Sequence, residues 1–170
     1  MRLLITFLLL SFVGLQVRAQ TTEKDQIYEI HKLLQKTLSS EAKYTIYGST
    51  KKNIIRNFDF KNPDGLDTSA SNIWKRAEWK KFLKSIDTSI VSDYSLSTAG
   101  KPWFKNRGNA KKTLVFAPVI LSADGNLAIS ILKLTNTLGR SSTSRVYFLQ
   151  KVNGKWKVKQ DRMISIIDFS

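Results

Sequence analysis

The chain contains no cysteine and a single histidine, His31, among its 170 residues. Without cysteine there is no disulfide to staple the fold and no thiolate to ligate a metal or attack a substrate. Zinc, copper and iron centres each need several nitrogen or sulfur ligands, and one histidine does not supply them. Neither a metal nor a cofactor is therefore expected. A nucleophilic triad would have to recruit His31, and no Gly-x-Ser-x-Gly elbow is present to position its serine. The glycine-rich fingerprints that cradle phosphates are missing as well. Asn62-Pro63-Asp64-Gly65-Leu66-Asp67 has the flavour of a calcium loop, but Phe60 stands where its first carboxylate belongs and Ser71 where its bidentate glutamate belongs. Carboxylates are scarce, at 13 against 28 lysines and arginines, and nothing singles out a pair of them for acid–base work. The composition carries no positive signature of an enzyme, and no catalytic residue is assigned.

Long apolar runs are also missing, apart from one at the start. Arg2 precedes the stretch Leu3 to Leu15, and Val17-Arg18-Ala19 follows with residues suited to a cleavage site. The stretch is short for a permanent membrane helix. The expectation is a signal peptide over residues 1–19, a mature chain beginning at Gln20, and a periplasmic or extracellular location; an uncleaved anchor is the alternative. Residues 20–170 fit a single domain able to bury a core, with no later transmembrane segment.

The first element expected is a helix from Thr22 to Ser39. Thr21 or Thr22 can cap it, and Ile27, Ile30, Leu34 and Leu38 form one apolar stripe. Residues 41–60 are ambiguous between short strands and a helix. Lys61 to Gly65 is a turn by its Pro and Gly chemistry. A second helix is expected from Ala70 to Asp87, capped within Asp67-Thr68-Ser69 and turning Ile73, Trp74, Ala77, Phe82 and Ile86 inward. A strand at Ile90 to Tyr94 is open. From Thr113 onward four β-rich runs follow, at 113–121, 127–134, 144–152 and 156–166, separated by Asp124-Gly125, a loop from Asn136 to Ser142, and Asn153-Gly154. Asp-Gly and Asn-Gly are strong hairpin signals, so the C-terminal half reads as an antiparallel meander of about four strands. Pro118 marks its first strand as an edge or a bulge. N-terminal helices packed on a C-terminal antiparallel sheet make an α+β domain. Strict alternation puts Trp156, Val158, Val146 and Phe148 under the helices. It puts Arg145, Lys151, Lys155, Lys157 and Lys159 on an outer face.

The run from Phe116 to Ala128, with Tyr147 to Lys151 and Asn153-Gly154-Lys155-Trp156-Lys157-Val158, resembles the C-terminal hairpins of small secreted Bacteroidota proteins of no assigned function. More loosely it is similar to the last hairpin of the NTF2-like superfamily. That resemblance implies helices set against a curved sheet, a cone with a pocket between them. Tyr28, His31 and Tyr44 are the polar groups from the N-terminal elements that could line such a pocket.

What the chain has in excess is positive charge. Residues 94–160 hold twelve lysines and arginines against one carboxylate, Asp124. Such a field attracts polyanions. Lys101, Trp103, Lys105, Arg107, Lys111 and Lys112 bring cations around aromatics in one loop, where rings could stack on bases or sugars. The alternative is that Trp103 and Phe104 tuck into the core while the lysines solvate the loop. With Arg145, Lys155, Lys157 and Lys159 these residues form a candidate surface for an anionic partner: lipopolysaccharide, an acidic glycan or an acidic protein. Export makes nucleic acid the less natural target. A small-molecule pocket between helix and sheet is the competing expectation, and an inhibitor or immunity factor is a third.

Overall fold

The computed structural model describes residues 23–38, 44–61, 72–98, 101–104, 112–136 and 141–168. The expected signal peptide, the Thr21 and Thr22 caps, most of the turn after Lys61, the Asp67-Thr68-Ser69 caps and the tip of the loop before Ser141 lie outside them. Among the described residues no helix is long and apolar enough to cross a membrane.

The first helix, α1, spans 23–38 and buries Ile30 and Leu34, as its stripe requires. Residues 44–61 hold a short strand, β1 (Thr45–Ile46), and a 3-10 helix, Lys52–Asn57. The second expected helix is shorter than its periodicity suggests. A 3-10 turn, Ile73–Lys75, breaks at Arg76 and is followed by α2 (Ala77–Ser85). Arg76 has extended backbone angles and gives α2 no side-chain cap; Glu78 in its first turn and Lys84 in its last complement the helix dipole. Residues 90–94 form no strand of their own; the segment is tied down by a Ser49–Ser95 bridge and enters a small ribbon of β2 (Ser97–Thr98) and β3 (Lys101–Pro102).

The sheet is larger than the expected four strands, and it is mixed. Among the described residues six strands take part: β1, β4 (Lys112–Phe116), β5 (Ile120–Leu121), β6 (Leu127–Asn136), β7 (Ser141–Val152) and β8 (Lys155–Asp168). The spatial order is β1-β4-β6-β7-β8, with β5 also on β6 and β1 parallel to β4. The run 113–121 splits at Ala117-Pro118-Val119, where proline removes an amide donor, and its two pieces pair separately with β6. Both turn signals hold. Gly125 has φ 66°, and Asn153 and Gly154 have φ 51° and 75°, the paired positive angles of a tight hairpin.

Both faces of the sheet are covered, which corrects the one-sided expectation. Ile129, Ile131, Val146 and Phe148 pack with Trp74, Trp79, Phe82 and the 3-10 helices on one face. Leu114, Phe116, Leu132, Tyr147, Leu149 and Trp156 pack with Ile30 and Leu34 of α1 on the other. Burial of each Trp or Phe contributes about 3 kcal/mol. Trp156 and Val158 thus lie on the face opposite Val146 and Phe148, not beside them. The register explains it: Trp156 pairs with Lys151 and Val158 with Leu149, so each shares a face with those residues.

Candidate functional site

Thr37 and Leu38 of α1, Tyr44 and residues of β4, β6, β7 and β8 line a cleft of about 370 Å³. Register builds its floor. Leu114 on β4 pairs with Leu134 on β6, and Leu134 pairs with Thr143 on β7, which sets one row across three strands. Leu132 pairs with Arg145 in a neighbouring row, and Tyr147 with Asp161 in another. The result is an apolar floor of Leu38, Leu114, Leu132, Leu134 and Val158, with Lys112, Arg145 and Asp161 as its charged groups.

Asp161 reaches this face because β8 carries a bulge. Phe148 pairs with Gln160 and Leu149 with Val158, which leaves Lys159 without an opposite residue. An unpaired residue resets the alternation, so Val158 and Asp161, three apart in sequence, line the same cleft. Arg145 Nη1 donates to Asp161 Oδ2, and both side chains are partly open to solvent. Arg145 therefore belongs to the cleft rather than to an outer basic face. Lys151 is also drawn in: its ammonium lies 5.1 Å from the centre of the Trp156 ring and donates to Gln26 Oε1 at 2.8 Å. Lys155, Lys157 and Lys159 are exposed on β8, an edge strand of the sheet.

Of the three pocket residues suggested from sequence, only Tyr44 lines the cleft. Its hydroxyl donates to the Gln35 carbonyl at 3.0 Å, which fixes the ring against the end of α1. Tyr28 meets Trp103 edge to face at 5.3 Å instead. His31 is fully buried, with its ring 4.6 Å from Phe116 and 6.1 Å from Trp103.

A buried polar relay surrounds that histidine. Nε2 of His31 lies 2.8 Å from the Tyr94 hydroxyl, which accepts the Val119 N–H at 3.1 Å. Thr50, itself buried, positions Tyr94: its N–H donates to the Tyr94 carbonyl and its Oγ1 accepts the Tyr94 N–H. Nδ1 of His31 has no partner. If Tyr94 donates to Nε2, that Nδ1–H is the one group left over. The reverse arrangement strands both Nδ1 and the tyrosine O–H, so the first is the better-satisfied tautomer. Burial pushes the His31 pKa down to about 3. Burial also raises that of Tyr94 well above the phenol range, opposed in part by the Val119 bond.

The loop aromatics follow the burial alternative. Phe104 stacks on Phe116 at 5.8 Å, and Trp103 lies among Tyr28, His31 and Tyr94. Lys101 begins β3 and Lys112 stands at the cleft, while Lys105, Arg107 and Lys111 lie outside the described residues. Among the described residues no cluster of three His, Asp or Glu could hold a metal.

The sequence signals were sufficient for Tyr44 and not for Arg145, Asp161 and Leu134 as neighbours, because strand register and the bulge bring these together. No family model matches the chain, and no curated protein or solved structure matches it.

Proposed function

We propose that this chain is an exported, non-enzymatic binding protein of NTF2-like form that holds a small, largely apolar molecule between α1 and the sheet. The observation that carries this reading is the cleft of about 370 Å³, floored by leucines and Val158 and edged by a few polar groups. That volume lies within the ordinary range of ligand pockets, which combine an apolar lining with sparse orienting polar groups. The strongly perturbed ionisable groups, His31 and Tyr94, are in the packed core and line no part of the cleft, which supports binding rather than acid–base catalysis. The test is a neutral solvatochromic dye such as Nile red titrated into the protein and into Leu134→Trp, which fills the floor. Saturable binding lost in the variant supports the reading; equal binding by both overturns it.

A second reading rests on Lys155, Lys157 and Lys159, exposed in succession along an edge strand. Here the protein contacts an anionic envelope polymer or acidic protein through β8. Lysines on an exposed edge also discourage strand-to-strand aggregation, so exposure alone does not decide the matter. Reversal of all three to glutamate should abolish salt-sensitive retention on an anionic matrix; unchanged retention removes this reading.

A further inference from the structure

Resting on the cleft reading above, we infer that the ligand carries an anionic head group anchored by Arg145, with its apolar body on the leucine floor. Among the described residues, the charged side chains lining the cleft are Lys112, Arg145 and Asp161, two cations against one carboxylate. Arg145 engages Asp161 through Nη1. A guanidinium offers five N–H donors in a planar fork, so this bond leaves donors for a second carboxylate. The apolar floor adjoins that guanidinium directly: Leu132 is the register partner of Arg145 on β6.

Lys112 has a different role. Its register partner on β6 is Asn136, four residues along from Leu132. Four residues of strand span about 13 Å, too far for both cations to grip one oxygen from above their own backbones. Lys112 therefore contributes field at the mouth while Arg145 makes the contact. Asp161 opposes the same head group, which limits its affinity and makes the sign of the preference testable.

The experiment titrates decanoate, 1-decanol and decylamine, each below its aggregation concentration, into the full mature chain by calorimetry. Decanoate should bind about tenfold tighter than decanol, the worth of one charge-assisted hydrogen bond, and decylamine weakest. Asp161→Asn should tighten decanoate further. Lys112→Gln should weaken it only modestly, and Arg145→Gln should erase the difference between acid and alcohol while both still bind. Equal binding of all three ligands by the unaltered protein, or a preference for the amine, overturns the head-group inference and leaves the cleft reading standing. No binding of any of them, with Leu134→Trp indistinguishable from the parent, overturns both.

Discussion

The Tyr94 hydroxyl stands 2.8 Å from Nε2 of His31, across 63 residues of chain. It joins α1 to the segment that leads into the β2–β3 ribbon. Because that hydroxyl also takes the Val119 N–H, it binds the helix to the break between β4 and β5. One side chain thus ties together three pieces of chain that share no regular backbone pairing.

Tyr94→Phe keeps the ring and removes this junction. It leaves the Val119 N–H and His31 Nε2 without a partner, in a region where His31 has no solvent contact. Each stranded buried group costs about 1–3 kcal/mol. The expected outcome is a loss of about 2–6 kcal/mol, read as a lower denaturant midpoint at unchanged slope. A loss close to zero would mean that water replaces the hydroxyl.

His31 makes stability depend on pH in a stated direction. Its pKa falls from 6.5 to about 3 because burial disfavours the imidazolium. Between those values the unfolded chain binds the proton and the folded chain does not. Its contribution is complete above the unfolded pKa and is lost as pH falls toward 3. The full loss is on the order of 5 kcal/mol. His31→Phe cannot titrate. Its stability, lower at neutral pH, should fall less steeply between pH about 6.5 and about 4. Parallel slopes in urea denaturation would show that His31 does not charge on unfolding in this range.

Gln160 fastens the opposite layer. Its Oε1 accepts the Ile73 N–H at 2.8 Å and its Nε2 donates to Asn72 Oδ1 at 3.1 Å, so one amide holds the 3-10 turn against β8. Gln160→Ala removes both bonds beside buried Trp74 and should cost about 1–3 kcal/mol. Hydrogen exchange should locate the effect: the Ile73 amide loses protection while the amides of β6 keep theirs. Uniform loss across the sheet would instead mean that Gln160 supports the whole fold.

Local chemistry made much of this architecture legible. The stripe of Ile30 and Leu34 marks α1, and Asp124-Gly125 and Asn153-Gly154 mark turns that do adopt positive φ. The face assignment failed for a non-local reason. Alternation within one strand says which residues share a face but not which face each neighbouring strand presents. Only the register, Leu149 with Val158 and Lys151 with Trp156, settles that. β1 was legible only as one of two options, short strand or helix, because it is two residues long and gains its place by pairing with β4. A pocket between helix and sheet was expected, but most of its lining was out of reach, since it depends on register and on a bulge that alternation cannot show.

That bulge gives the sharpest test of the register. Lys159 has no opposite residue, while Val158 pairs with Leu149 and Gln160 with Phe148. Deleting Lys159 leaves Val158 and Gln160 adjacent, facing the same ways as before, so Asp161 still meets Arg145. Only the extra twist of the bulge is lost. Deleting Lys157 is different. The strand can keep its pairing beyond Gln160 either by moving Trp156 opposite Gln150, out of the core of that face, or by moving Lys159 opposite Leu149, into the place of Val158 on the face that packs against α1. The first forfeits the burial of Trp156, and the second must take a lysine charge off water. Deletion of Lys159 should therefore cost about 1 kcal/mol or less and preserve ligand binding, whereas deletion of Lys157 should cost several times more and abolish it. The two shortened chains differ only in which lysine is missing, so equal denaturation midpoints would refute this register.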